Sequence, residues 1–479
     1  MIRALLISLV LALIILPSHG AIFNHKSFIL TNGLKVYFIH NALAPVVNVS
    51  LYYKVGTADD PRDQHGLSHF LEHMMFKGTT RVPKGKLDEL LLQQGAAYNA
   101  HTTPDSTCYE TTISKDQLEL VLFLEADRMV NLTFDKKDVE SERQVVHEER
   151  AMRLDNHPFG KATEIYLRSL YWKHPYGIPA IGYPEHIDAY TYDSVRQHYK
   201  TYYAPNNAIL IIAGDTDFGR VKELAEKYFS QISPRSLPVR KRAQEPDHSD
   251  TTLSIDHYAE RNHAISLQYS YQAPNFRGPN KEQAIPLLIL SQIFSGNELS
   301  HLWKAFVDDE KIAVSVGSHY DHISIDPQTF DLMMTLGNTI DPKYAKKRME
   351  DELQKFLRQG VSEEDVKNAK RDILAKLAFV KDGLTSTVQA FSHVVLGVNE
   401  DDLEHWDKTI NAISKEDVDK ALRSVFGKKP AVVLTLYPKS YEPYDLSQHP
   451  SKQNPAQFRS KLEGFWESLY QRVKNLFTL

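Results

Sequence analysis

The sequence predicts an α+β protein made of two homologous α/β domains in one chain, and three observations carry that reading. Residues 191–210 align with 414–433 at a constant shift of 223 and without a gap, so that Asp193 meets Glu416, Val195 meets Val418, Tyr203 meets Phe426 and Ala208 meets Ala431. Both copies read as a capped helix followed by an apolar strand. Earlier in each half a shift of 218 lays a strand at 46–53 over 264–271 and a helix at 66–76 over 284–294. Between the halves Pro234, Pro238 and Pro246 mark a linker. The 479 residues are more than one core usually serves.

The chain divides accordingly. Residues 1–20 read as a signal peptide: Arg3 is a short basic start, residues 4–16 are apolar but for Ser8, and Ser18 and Gly20 put small residues where a signal peptidase inspects. The apolar run is short for a membrane span and no cysteine follows it for lipid attachment. A mitochondrial presequence would be richer in Arg and amphipathic. The expected product is exported, periplasmic or secreted. Residues 21–235 form the first domain, 236–250 the linker, 251–440 the second domain and 441–479 a tail. In that tail Phe458, Leu462, Phe465, Leu469, Val473 and Leu476 fall on one helical stripe. The stripe leaves three fates open: a membrane surface, a partner, or the tail's own domain.

Composition excludes some function classes. An apolar fraction of 42% with 24% charged residues is that of an ordinary soluble globular protein. A formal charge of −5 argues against nucleic acid as the main partner. The run Arg240-Lys241-Arg242 reads as linker surface. Cys108 is the one cysteine, so no intrachain disulfide forms, and it reads as a small buried hydrophobe rather than a nucleophile.

The chemistry concentrates in HFLEH at residues 69–73. Residues four apart on a helix lie one above the other, so His69 and His73 reach one metal ion while Glu72 stands beside them. Leu67, Phe70, Leu71, Met74 and Met75 supply the apolar face, with Gly66 and Gly78 as punctuation. H-x-x-E-H is the inverted form of the H-E-x-x-H metallopeptidase motif. A catalytic zinc takes a third protein ligand. A second helix, VESERQVVHEERAMR, offers Glu142 and Glu149 on one face, with Val139, Val145, Val146 and Met152 as its apolar side.

On these residues the chain resembles the inverzincin peptidases, which include pitrilysin, insulin-degrading enzyme and mitochondrial processing peptidase. It looks like a half-length, processing-peptidase-like bacterial member. In that family HxxEH is followed by a helix reading ER-x-V-I-x-x-E, whose last Glu completes the zinc site. Here the helix reads ERQVVHEE, with its last Glu 76 residues beyond His73. The resemblance implies one zinc ion per chain, held by His69, His73 and Glu149, with Glu72 as general base and Glu142 orienting a ligating imidazole. Glu148 is the rival for the third ligand, though the register from Glu142 favours Glu149. It also implies mostly antiparallel sheets, and an edge strand within GAAYNAHTTPDSTCYE where Asn99 and Ala100 hold substrate backbone. His101 is open between a substrate-side donor and a surface residue. HPYGIPAIGYPEHID and YYAPNNAILIIAGD extend the likeness.

The second half departs from the family. Under the repeat His69, Glu72 and His73 fall on Leu287, Leu290 and Ser291, so only the first half is expected to hold metal. The Arg and Tyr that the family's second half contributes to substrate contact fall on Val307 and Val314. This pattern implies the metal-carrying subunit of a two-chain zinc endopeptidase. A homologous partner chain would supply the Arg–Tyr pair in a heterodimer, with a homodimer as the lesser option and extended peptides as substrates. A non-catalytic peptide-binding or structural subunit is the alternative. A zinc hydrolase acting on something other than peptides is disfavoured by the Asn-Ala segment.

Overall fold

The computed structural model describes residues 21–441 apart from 158, 247–249, 261 and 279, so the predicted signal peptide and the amphipathic tail lie outside the described residues. The first half runs β1 Lys26–Ile29, β2 Lys35–His40, β3 Val46–Tyr53, α1 Leu67–Met74, α2 Lys86–Gln93, β4 Ala97–Thr102, β5 Thr107–Ser114, α3 Leu118–Asn131, α4 Lys136–Arg150, α5 Gly160–Leu170, α6 Pro184–Asp188, α7 Tyr192–Tyr202, β6 Ala208–Gly214 and α8 Phe218–Phe229. The second runs β7 Leu253–Ala259, β8 Ser266–Ala273, α9 Ala284–Ser295, α10 His301–Trp303, β9 Ala313–Tyr320, β10 Gln328–Leu336, α11 Pro342–Gln359, α12 Glu363–Val380, α13 Leu384–Phe391, α14 Glu400–Glu404, α15 Trp406–Ala412, α16 Lys415–Phe426 and β11 Val432–Pro438.

Two sheets result, ordered β1-β2-β6-β3-β5-β4 and β7-β11-β8-β10-β9. Apart from β1 the orders correspond strand for strand. In each, one parallel pair, β2 with β6 and β7 with β11, joins otherwise antiparallel neighbours. The repeat seen in sequence is a repeat of caps: Thr191 and Ser414 each accept from the backbone N–H three residues on, opening α7 and α16 ahead of β6 and β11. The strand predicted at 264–271 is found as β8, two residues later. An even shift keeps every side chain on its expected face.

Each sheet has a helix-covered face with its own apolar core. In the first, Phe70, Leu71 and Met74 of α1 pack with Val49, Leu51 and Tyr109; in the second, Leu287, Leu290 and Phe294 of α9 pack with Leu332 and Phe330. The opposite faces are covered by exchange. Val388 and Phe391 of α13, from the second half, lie on Tyr37, Tyr52, Ile209 and Ile211 of the first sheet. Ala162, Tyr166 and Leu170 of α5, from the first half, lie on Val432, Leu434 and Leu436 of the second. The Tyr166 hydroxyl seals that contact, 2.6 Å from Ser270 Oγ and 2.9 Å from Asp331 Oδ1.

Two expectations are corrected. Arg242 is not linker surface: its side chain is 4% exposed and pairs with Asp59, Asp105 and Asp326 at 3.1, 2.5 and 2.9 Å. Acids from both halves thus converge on a linker cation, an arrangement a local charge run does not reveal. Val145 and Met152 do not form the buried side of α4; they are 46% and 69% exposed, and the inward residues are Val139, Glu142, Val146 and Arg150. That helix face is polar because it meets the site described below.

Removing the Arg242 charge leaves buried Asp105 without a cation and Asp59 and Asp326 with only Arg240 and His174, so Arg242→Met should lower unfolding stability by about 3 kcal/mol, seen as an earlier urea midpoint; an unchanged midpoint would mean that water already screens the cluster. A second tie is Glu404, whose carboxylate accepts the N–H groups of Phe23, Asn24 and His25 at 2.7, 3.1 and 3.0 Å. Burial alone would raise its pKa, but the His25 side chain and those N–H groups outweigh it and hold it at about 2. A depressed folded pKa gives stability that is present above the ordinary value near 4.5 and lost as pH falls toward 2. Wild-type stability should therefore fall more steeply between pH 5 and pH 2 than that of Glu404→Gln, by a total of about 3 kcal/mol.

Candidate metal centre

The site depends on how α1 is started. Gly66, at φ 97°, opens the helix, and a Cβ there would stand 2.8 Å from the Ile181 carbonyl oxygen. The cap comes from Asp60, whose carboxylate accepts the N–H groups of Gly66 and Ser68 at 2.8 and 3.1 Å and the Ser68 hydroxyl at 2.6 Å. Ser68 Oγ lies 2.9 Å from His198 Nε2 on α7, which ties the start of α1 to its neighbour. Of the eight residues of α1 only His73 escapes full burial.

Burying His69 and Glu72 requires partners, and α4 and β4 provide them. Asp135 caps α4 reciprocally with Asp138, and Arg150 anchors the other end through the Gly182 carbonyl at 2.7 Å and Glu164 at 2.5 Å. This sets Glu149 against α1: its Oε2 lies 3.6 Å from His69 Nε2 and 3.2 Å from His73 Nε2. Glu142 Oε1 faces His73 Nδ1 at 3.0 Å, while its other oxygen pairs with Lys77. The edge strand β4 supplies Thr102, whose hydroxyl donates to Glu72 Oε2 at 2.6 Å.

Electrostatics follow from this geometry. Burial, the neighbouring His73 and Arg153 depress the His69 pKa to about 3, against the pull of Glu149. Burial would lower His73 too, but Glu142 and Glu149 overcome it and raise it to about 9. Glu149 is the converse: burial opposes ionisation, yet His73, His69 and Arg153 hold it at about 2. Burial raises Glu72 to about 7, against the Thr102 hydrogen bond and His73.

The residues fit a zinc ion. One ligand atom each from His69, His73 and Glu149 lies within 4.8 Å of the others, the one such group among the described residues. Glu149 Oε2 is buried with no hydrogen-bond donor, facing two imidazole nitrogens. A cation among the three satisfies all of them, and two imidazoles with a carboxylate are a donor set that zinc takes.

The sequence-predicted residues fall as follows. His69, Glu72, His73 and Glu149 come together, and Glu142 stands behind His73. Glu148 is exposed. Asn99 and Ala100 sit mid-way along β4, which pairs with β5 alone and so presents a free edge. Asn99 is exposed and Ala100 buried. His101 is buried against Tyr52, with ring centroids 6.3 Å apart, and burial lowers its pKa to about 4. In the second half Leu287 and Leu290 are fully buried, and Ser291 is 2.8 Å from Ser318 Oγ. Val307 packs part-buried against the second core. Thr102, Lys77 and Arg153 were missed; the last two stand four residues beyond His73 and Glu149, a spacing that was available to be read.

The insulinase (peptidase family M16) profile matches residues 35–182, and that of the peptidase M16 inactive domain matches 189–373. The chain belongs to the peptidase M16 family. The inactive-domain match begins ahead of α7 and β6, although β6 lies between β2 and β3 in the first sheet. Among M16 relatives, the zinc protease PqqE of Helicobacter pylori is 28% identical over 362 residues, 74% of this chain and 80% of that protein. A protease structure from Helicobacter pylori superposes with a TM-score of 0.79 at 25% identity, over 86% of this chain and 99% of that one. Pitrilysin gives a TM-score of 0.71 at 16% identity over 88% of this chain but 46% of its own.

Glu142→Gln keeps an acceptor for His73 but loses the charge that Lys77 and the imidazole share. Zinc affinity should fall about tenfold in competition with a chelating dye, and an unaltered affinity would remove Glu142 from the centre.

Proposed function

We propose that this M16 protein is a zinc-dependent endopeptidase acting on extended or unfolded peptides, as the metal-carrying subunit of a two-chain enzyme. The observation that supports it best is the convergence of His69, His73 and Glu149 beside a buried Glu72 that is held by the edge strand itself. A zinc ion bound there lowers the pKa of a water and polarises a carbonyl. Glu72, with its pKa raised to about 7, is suited to take the proton of the attacking water and return it to the leaving amine. Its Thr102 hydrogen bond aims one oxygen and leaves the other for that transfer. An extended peptide adds to the free edge of β4 beside Asn99 and Ala100, its backbone paired and its sequence loosely specified.

The partner is inferred from what the second half lacks. Val307 and Val314 offer no polar group where the family places Arg and Tyr, so a homologous chain bringing that pair completes the site as a heterodimer; a homodimer is the lesser option. The same two valines favour a second reading, a non-catalytic peptide-binding or structural subunit. Export to the periplasm or beyond rests on residues 1–20. No described helix is long and apolar enough to cross a membrane. Contact of the tail with a membrane surface rests on its stripe alone.

The test is hydrolysis of a quenched-fluorescent peptide library by the zinc-loaded chain, alone and with co-purified partners. Glu72→Gln should keep its zinc and lose about 10²- to 10⁴-fold in turnover. Zinc-loaded protein with no Glu72-dependent turnover under either condition would leave the non-catalytic reading.

A further inference from the structure

Glu149 has its two oxygens divided between two tasks. Oε2 faces the imidazoles of His69 and His73 without any donor. Oε1 forms an ion pair with Arg153 Nη2 at 2.8 Å. The division matters because a carboxylate whose second oxygen is free tends to swing round and bind a dication through both. That would occupy the position which a catalytic zinc keeps open for water.

Arg153 is built to prevent this. It lies in Ala151–Asp155, a π-helical turn that continues α4 and keeps the residue four positions on over Glu149. Such turns recur at functional sites. The turn is held rigidly by Arg150, whose guanidinium reaches the Gly182 carbonyl, Asp155 and Glu164. Arg153 itself is 31% exposed, and Glu149 is its one acidic partner among the described residues. His73 has an outer partner in Glu142, whereas the outer nitrogen of His69 has none. Control of the third ligand therefore falls to Arg153.

We propose that Arg153 is a positioning residue of the metal centre, holding one oxygen of Glu149 so that this side chain binds zinc through the other alone and the fourth position stays open. The inference rests on the zinc-peptidase reading. It is tested on the full chain, stripped of metal and titrated with Zn²⁺ or Co²⁺ alone, comparing wild type with Arg153→Met and Arg153→Lys. Because Arg153 is partly exposed, the metal-free variants should keep the wild-type urea midpoint; a variant that fails to fold is replaced by Arg153→Gln. The cobalt form of Arg153→Met should lose visible absorption intensity as the coordination number rises, while zinc affinity should not fall, because a second donor oxygen is gained and a nearby positive charge is lost. Arg153→Lys should recover the wild-type spectrum. An unchanged cobalt spectrum in Arg153→Met would overturn the proposal while leaving the peptidase reading in place; wild-type protein that takes up no zinc would overturn both.

Discussion

The first half is organised by the need to bury a polar helix. Helix α1 presents Phe70, Leu71 and Met74 to the core, yet His69 and Glu72 are buried with them. Polar groups taken from water must be answered by partners, at a cost of roughly 1–3 kcal/mol for each left unmet. The neighbouring elements are placed to supply those partners: α4 brings Glu142 and Glu149, β4 brings Thr102, and Asp60 serves the helix's first N–H groups. His69 Nδ1 and the inward oxygen of Glu149 remain unanswered, and the second, set among two imidazole nitrogens, is what a cation completes.

Charge balance around that point is layered. Each ionised ligand or its partner has a counter-ion outside it: Lys77 behind Glu142, Arg153 behind Glu149. Together with the imidazoles, which act most strongly, these cations keep the inner carboxylates ionised in a place where burial alone would neutralise them. Glu72 has no counter-ion of its own behind it, only a hydroxyl, and its pKa lies near neutrality instead. Ligand and base are the same kind of residue, distinguished by what stands at their backs.

Much of this was legible in the sequence because helical periodicity translates directly into shared faces. The spacing of His69, Glu72 and His73 and the register of Glu142 with Glu149 needed no tertiary information once both helices were assumed. The duplication was legible through its caps, since Thr191 and Ser414 recur with their strands. Outward positions were harder. Val145 and Met152 look like a buried stripe, but the inward face of α4 carries Glu142 and Arg150 beside Val139 and Val146 and is turned to the metal site. Arg242 looks like surface because its three acids come from positions 59, 105 and 326, and no local pattern announces their meeting. Thr102 was hidden for the same reason, its partner being thirty residues away.

The crossing of α5 onto the second sheet and α13 onto the first bears on how the two halves depend on each other. Each half covers the other's bare sheet face, so neither is a finished globule by itself, and the two are interlocked rather than merely abutted. Leu287 and Leu290 fill with hydrocarbon the positions that the repeat pairs with His69 and Glu72, which the first half must keep dry and paired. The second half holds the first by laying α13 over its otherwise bare sheet face.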